Sequence, residues 1–361
     1  MPGVRALAIR AVAMAAIGVM DRALATDPIR AEGIRPEFFI RVERAHVRAV
    51  LHCCLHDNST GCPSPYAQNV RTDSRTLPLE TFGRRLLKGA ETWADRSVLN
   101  GAVFEFVWFG LKQAWACLFG GALLGLILAT YLFWPEDPVV SRYDFLVMGA
   151  LGIQGLMLAF KLESWDEAKT IFLFHIAGTV MELFKTYHGS WVYPEDSLLR
   201  IGAVPLFSGF MYAAVGSYIA RVQRVFHIGV KGYPPLWQTW VLAAAVYVNF
   251  FAHHWIWDFR YLLFAATAAV FGRGRFWFRT DRRRRSMPLL LGYFLVALFI
   301  WLAENLATFG RAWTYPDQSV GWHMVSVAKF GSWFLLMIVS VVLVSLVHKP
   351  KPEEAMRSVD Q

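Results

Sequence analysis

From Gly101 onward, apolar residues run in long stretches separated by short polar gaps. Each stretch is near the roughly 20 residues that an α-helix needs to cross about 30 Å of hydrocarbon. The pattern predicts membrane-spanning helices over 111–133, 143–161, 168–187, 203–222, 235–254, 259–273, 287–309 and 327–347. The sixth is the shortest, and the eight-span count depends on its crossing. Residues 1–100 read differently. Arg5 and Arg10 precede a short apolar run over 11–20, followed by Ala23-Leu24-Ala25, in the manner of a signal peptide or a frayed amphipathic helix. The remainder up to Asn100 is polar and basic without sustained periodicity. The expected organisation is a polar, loosely structured N-terminal extension (1–100), an all-α transmembrane bundle (101–348) and a cytoplasmic tail (349–361).

Loop charge orients the bundle. Basic residues cluster before the first stretch (Arg84, Arg85, Lys88), beside the second-to-third gap (Lys161, Lys169) and between the fourth and fifth (Arg221, Arg224, Lys231). They recur between the sixth and seventh (Arg273, Arg275, Arg279, Arg282, Arg283, Arg284, Arg285) and after the eighth (Lys349, Lys351). These are the alternate loops of an eight-span chain, so the positive-inside rule places both termini in the cytoplasm. The other gaps, such as Trp134-Pro135-Glu136-Asp137-Pro138, are acidic or aromatic and face outward.

Composition agrees. Apolar residues make up 56% of the 361 positions and charged residues only 17%, against about a quarter in soluble chains. The net charge of +9 would suit nucleic acid, but it sits in short gaps between apolar stretches, so no nucleic-acid partner is expected. The four cysteines are too few for a disulfide-built domain. His52-Cys53-Cys54-Leu55-His56 with Cys62 lacks the paired spacing of structural zinc sites and reads as unpaired thiols.

Two segments align without a gap, 122 residues apart: Glu182-Leu-Phe-Lys-Thr-Tyr-His-Gly-Ser-Trp191-Val-Tyr193-Pro194-Glu195 and Glu304-Asn-Leu-Ala-Thr-Phe-Gly-Arg-Ala-Trp313-Thr-Tyr315-Pro316-Asp317. Arg142-Tyr143 and Arg260-Tyr261 are a weaker echo. The echoes pair the second stretch with the sixth and the third with the seventh. That predicts a parallel 4+4 repeat about an axis along the membrane normal, as in some transporters.

Ionisable groups inside spans are costly and default to function. His175, Gly178, Thr179 and Glu182 share one face of the third stretch, and Glu304 and Asn305 stand at matching depth in the seventh. Glu182, Glu304, His188, His253, His254 and Asp258 all fall near the outer face. Three chemistries fit. Glu182 and Glu304 are candidate catalytic proton-transfer groups, with His175 orienting Glu182. The same acids would equally carry protons through a transporter. His253, His254 and Asp258, completed by Glu182 or His188, form a candidate divalent-metal set, the one cofactor reading available. Trp191, Tyr193, Trp313, Tyr315, His188 and Asn305 are candidate substrate contacts. Blander readings stand beside these: an i,i+3 pair between Glu182 and Lys185, and aromatic anchors at the membrane interface.

The chain resembles a bacterial family of integral membrane proteins, the YoaT-like proteins grouped as domain of unknown function 817. The resemblance is carried by Phe174-His175-Ile-Ala-Gly178-Thr179-Val-Met-Glu182, Gly189-Ser-Trp191-Val-Tyr193-Pro194-Glu195, Val204-Pro-Leu-Phe-Ser-Gly-Phe-Met-Tyr212, Asn249-Phe-Phe-Ala-His253-His254 and Ile300-Trp-Leu-Ala-Glu304-Asn305. It covers roughly 106–347 and implies a multi-pass protein of the bacterial inner membrane, with no known reaction. A shorter likeness to carotenoid hydratases and small lycopene cyclases rests on His175, Glu182, Gly189, Trp191, Tyr193, Gly202 and Val204-Pro205-Leu206. The expected function is modification of a membrane lipid or polyprenoid by acid–base chemistry. A proton-coupled transporter or a metal-dependent membrane enzyme is the alternative.

Overall fold

The computed structural model describes Gly89, residues 92–253, Trp255, residues 257–280, 284–348 and 350–352, and Glu354. The signal-like run, Cys53, Cys54 and Cys62, and nearly all of the expected extension lie outside these residues. The chain divides at Gly110 into two compact units. Helix α1 (Val98–Ala116) runs across the division, and its part before the division is mostly exposed among the described residues.

The unit from Leu111 on is a helical bundle. It comprises α2 (Leu118–Phe133), α3 (Arg142–Ala159), α4 (Trp165–Tyr187), α5 (Phe207–Val225), α6 (Leu236–Ala252), α7 (Arg260–Phe271), α8 (Leu289–Phe309) and α9 (Val327–Val347). Seven of the eight predicted stretches coincide with single helices to within a few residues; the first is broken at Cys117, between α1 and α2. Among the described residues two helices, α8 and α9, are long and apolar enough to cross a membrane, and α1 with α2 together make a third candidate. Helix α7 has only 12 residues, about 18 Å at 1.5 Å per residue, which falls short of the hydrocarbon thickness. Helix α4 has the length, but its composition includes Asp166, Glu167, Lys169, Glu182 and Lys185.

The fold is not purely α. Arg200–Ile201 (β1) pairs with Val204–Pro205 (β2), and Gly229–Lys231 (β3), Arg275–Arg279 (β4) and Arg284–Pro288 (β5) form a three-stranded antiparallel sheet. Periodicity missed these strands because they are short and interrupt basic loops. The sheet has topological meaning. It joins the α5–α6 loop to the α7–α8 loop, and Val230 N–H donates to the Lys351 carbonyl (2.9 Å), adding the C-terminal segment. Arg224 reaches the Leu162 carbonyl (3.3 Å) in the α3–α4 loop. The most basic loops therefore gather at one end of the bundle.

Local chemistry sets the helix ends. Ser164 and Glu167 form a reciprocal capping box on α4. Ser141 caps α3, and Asp144 in its first turn accepts from Leu198 N–H (2.9 Å) and Leu199 N–H (2.7 Å), tethering the loop between α4 and α5. Helix α4 packs along α5, and α9 packs against α4, α5, α6, α7 and α8. At Gly178 of α4 a Cβ would lie 2.6 Å from the Tyr212 ring, so only glycine lets that ring cross the helix there.

Candidate functional site

Helices α4 and α8 end in the same turn. Gly189 (φ +66°) and Arg311 (φ +50°) both take left-handed backbone. Gly189 N–H donates to Thr186 O (3.0 Å) and Ser190 N–H to Lys185 O (2.9 Å). Arg311 N–H likewise donates to Thr308 O (3.0 Å), and Ala312 N–H to Ala307 O (3.0 Å). These are Schellman-type caps, which reverse the chain after a helix.

The two reversals bring Trp191-Val192-Tyr193 and Trp313-Thr314-Tyr315 side by side. Val192 N–H donates to Thr314 O (3.0 Å) and Thr314 N–H to Val192 O (2.9 Å), an antiparallel bridge. Each tyrosine then reaches back to the glutamate eleven residues before it: Tyr193 OH to Glu182 Oε2 and Tyr315 OH to Glu304 Oε1, both at 2.6 Å. The Trp191 and Tyr315 rings meet edge to face at 5.9 Å between centroids. Arg142, 4% exposed, locks the arrangement from α3. It donates to Glu195 (2.6 Å), Thr130 (3.1 Å), the Ile127 carbonyl (3.2 Å) and the Gly310 and Arg311 carbonyls.

Both carboxylates are buried, Glu182 at 3% and Glu304 at 4% exposure. Glu182 accepts from Trp191 Nε1 (2.6 Å), Tyr193 OH (2.6 Å) and Tyr212 OH (2.7 Å). Glu304 accepts from Tyr315 OH (2.6 Å) and Trp333 Nε1 (2.8 Å). Tyr193 and Tyr315 lie in the connecting segments. Burial first, and then the charge of the neighbouring glutamate, holds both hydroxyls well above the ordinary phenol range, so they stay protonated donors. The two glutamates are near enough to feel each other's charge.

An apolar crevice adjoins this pair. It is small, with a cavity volume of about 30 Å³, and partly open among α4, α5, α8 and α9, and its lining includes Phe174, Val215, Ile300, Met337 and Leu343. Tyr212 and Trp333 also line it, so each presents a ring to the crevice and a polar atom to a carboxylate.

The other predicted residues have different surroundings. His175 packs on Phe210 (4.5 Å between centroids), and its Nδ1 is buried without a hydrogen-bond partner. The bonds that orient Glu182 therefore come from Trp191, Tyr193 and Tyr212 rather than from His175. Asn305 ties down the chain, donating to Trp301 O (2.7 Å) and accepting from Val325 N–H (2.8 Å). His188 packs among the Phe184, Tyr187 and Trp255 rings. His253 stands against Asn249 O (3.1 Å) and Lys185 Nζ (3.4 Å). Asp258 is bound by Asn249 (3.1 Å) and Arg260 (2.6 Å). His254 lies outside the described residues. Among the described residues no group of three or more His, Cys, Asp or Glu side chains is placed to hold a metal. Asp258 pairs with Arg260, and His253 lies beside Lys185.

Sequence reasoning missed Tyr212, Trp333 and Lys329. Tyr212 and Trp333 lie within apolar stretches, where periodicity does not mark a polar partner. Lys329 stands in the first turn of α9 with its ammonium 4.3 Å from the Tyr315 ring centroid and 5.3 Å from that of Trp191.

The family model described as "Protein of unknown function (DUF817)" matches residues 105–341. "Uncharacterized protein YoaT" of Bacillus subtilis (strain 168) is 39% identical over 252 residues, covering 70% of this chain and 95% of that protein. No solved structure matches. The likeness to carotenoid hydratases and lycopene cyclases finds no support in these comparisons.

Proposed function

This chain belongs to the DUF817 family, and from that premise we propose that it is a multi-pass membrane enzyme acting on a lipid or polyprenoid through Glu182 and Glu304. One observation carries the reading: Tyr212 and Trp333 border an apolar crevice while hydrogen-bonding the two buried acids. An apolar substrate in the crevice would lie against side chains already wired to proton-transfer groups. Acid–base chemistry needs such groups within hydrogen-bond reach of the reacting atoms, directly or through one relay. The proposed step is a double-bond shift. One carboxylic acid protonates the alkene, and the other carboxylate removes a proton from the adjacent carbon. Atoms and charge balance without a co-reactant. The Tyr212 and Trp333 rings, which line the crevice, would stabilise the intermediate cation.

The proposed topology has eight spans in a parallel 4+4 repeat, with both termini in the cytoplasm of a bacterial inner membrane. Its support is the gathering of the basic loops at one end, and the identical turns and tyrosine–glutamate bonds on α4 and α8. The short α7 would cross only with help from its flanking aromatic segment.

The test compares lipid profiles of wild type, a deletion strain, Glu182→Gln, Glu304→Gln and Tyr212→Phe. The two Gln variants should abolish a conversion that the wild type performs, and Tyr212→Phe should slow it about 100-fold. Identical profiles across all strains would end the proposal. The pairing of two acid sites across a repeat favours a second reading, proton-coupled transport, which predicts solute uptake into proteoliposomes driven by a pH gradient.

A further inference from the structure

The three-stranded sheet has one apolar face and one basic face. Directly opposite residues in an antiparallel ladder share a face, and so do alternate residues along a strand. One face carries Phe276, Phe278 and Met287. Phe276 packs on Tyr293 (5.6 Å between centroids) and Phe278 on Phe226 (6.2 Å), which seats the sheet on α8 and on the end of α5. The other face sets Lys231 directly opposite Arg275, Arg279 directly opposite Arg284, and Trp277 between the two pairs. Lys231, Arg275 and Arg279 are exposed. Like charges directly opposite on a sheet repel, and the register imposes two such pairs. The remaining residues paired on this face are Gly229, Ser286 and Pro288, so the ladder itself brings no acid to it. Arg275 donates to Ser286 Oγ (3.2 Å), which keeps its guanidinium on the same face.

The chain also fixes the depth of this face. Strand β4 follows α7 across Gly272-Arg273-Gly274, and β5 ends at Pro288, the residue before Leu289 opens α8. Leu289 N–H donates to Gly274 O (3.0 Å). Arg275 therefore stands beside the first residue of a helix apolar enough to cross a membrane. The headgroup layer adds about 5–7 Å to each side of the hydrocarbon, a depth that lysine and arginine side chains starting at that border can reach. Tryptophan also favours this layer.

We propose that the basic face of the sheet is a docking surface for anionic phospholipid headgroups of the leaflet at this end of the bundle. A phosphate would sit between Lys231 and Arg275, the pair nearest α8, with Arg279 and Arg284 extending the positive surface. The acyl chains stay in the bilayer, so the protein needs no cavity for them. Charge complementarity sets the class of occupant, and the border with α8 favours a membrane over a soluble polyanion. The inference is independent of the reaction proposed at Glu182 and Glu304; it rests on α8 entering the membrane at Leu289.

The experiment reconstitutes the purified full chain in nanodiscs of equal phosphatidylglycerol and phosphatidylcholine, extracts it into maltoside and reads retained lipid by native mass spectrometry. The wild type should retain phosphatidylglycerol over phosphatidylcholine by about fivefold or more. Lys231→Gln with Arg275→Gln should bring the ratio near one. Lys231→Arg with Arg275→Lys should keep it, which separates lost charge from lost folding. Lys161→Gln with Lys169→Gln removes as much charge around the α3–α4 loop and should leave the ratio unchanged. Equal retention of the two lipids by the wild type would overturn the proposal. So would an unchanged ratio in the Lys231/Arg275 Gln pair, or an equal loss in the Lys161/Lys169 pair, which would mark diffuse charge. Loss of phosphatidylglycerol to a single-stranded oligonucleotide at matching concentration would also overturn it and mark a soluble polyanion site. If lipid profiles ignore Glu182→Gln and Glu304→Gln while the sheet-dependent ratio persists, only the reaction fails.

Discussion

The Glu182 and Glu304 sites are built on one plan and finished differently. Each has a glutamate near the end of a long helix, a left-handed turn, and a tyrosine returning at 2.6 Å. Around Glu182 the Trp of the adjacent Trp-x-Tyr element donates directly, and α5 adds Tyr212. Around Glu304 the equivalent Trp313 turns to Tyr315 instead, and α9 supplies Trp333. Lys329 lies nearer the Tyr315 ring (4.3 Å) than the Trp191 ring (5.3 Å). One site is therefore a closed cup of neutral donors, and the other has a cation at its lip.

The largest expected effect compares the two cups. Glu182→Ala orphans three buried donors and Glu304→Ala two, at about 1–3 kcal/mol for each unsatisfied group. Both variants should lose several kcal/mol, with the greater loss at Glu182, read as the drop in unfolding midpoint in detergent. Equal losses would mean the third donor is idle.

The two echoed arginines should differ next. Arg142 is buried and joins α2 and α3 to Glu195 and to the turn that ends α8, so Arg142→Met should cost about 3 kcal/mol. Arg260 pairs with Asp258 at 31% exposure, and Arg260→Met should cost under about 1 kcal/mol. Matching losses in thermal unfolding would deny Arg142 its clamping role.

A smaller effect concerns pH. Burial, then repulsion from Lys185, holds His188 below the ordinary imidazole range, so the folded state binds fewer protons than the unfolded chain. The stability contributed by neutral His188 is complete above about pH 6.5 and is lost as pH falls through the depressed folded value. His188→Gln should flatten the melting-temperature profile below pH 6.5; an unaltered slope would assign that dependence elsewhere.

The smallest is at the turns. Arg311 holds the left-handed conformation that Gly189 adopts freely. Arg311→Gly should gain, and Gly189→Ala lose, about 1 kcal/mol. Two changes of the same sign in the unfolding midpoint would show that strain at these turns is not what the substitutions report.

How legible was this? Helix positions were readable because long apolar runs must bury their backbone in helices, and α3 through α9 fall where the pattern placed them. Glu182, Trp191, Tyr193, Glu304 and Tyr315 were visible as an echo at equal spacing, and the structure joins them by hydrogen bonds. His175 and Asn305 shared those helix faces, yet they serve packing and loop anchoring. A helix face gives direction around an axis but does not say which neighbour stands opposite.

The sequence alone determined a basic, helix-rich chain of the DUF817 family and which residue types recur in its two matching segments. Periodicity, charge placement and spacing are properties along the chain, so they could be read from it directly. Tertiary structure decided that the two Trp-x-Tyr-Pro elements pair, that Tyr212 and Trp333 link acids to crevice, and that Lys329 rests on rings. Those contacts join residues up to 138 positions apart, from Trp191 to Lys329. They exist only once helix packing selects one partner for each side chain from the many that its chemistry allows.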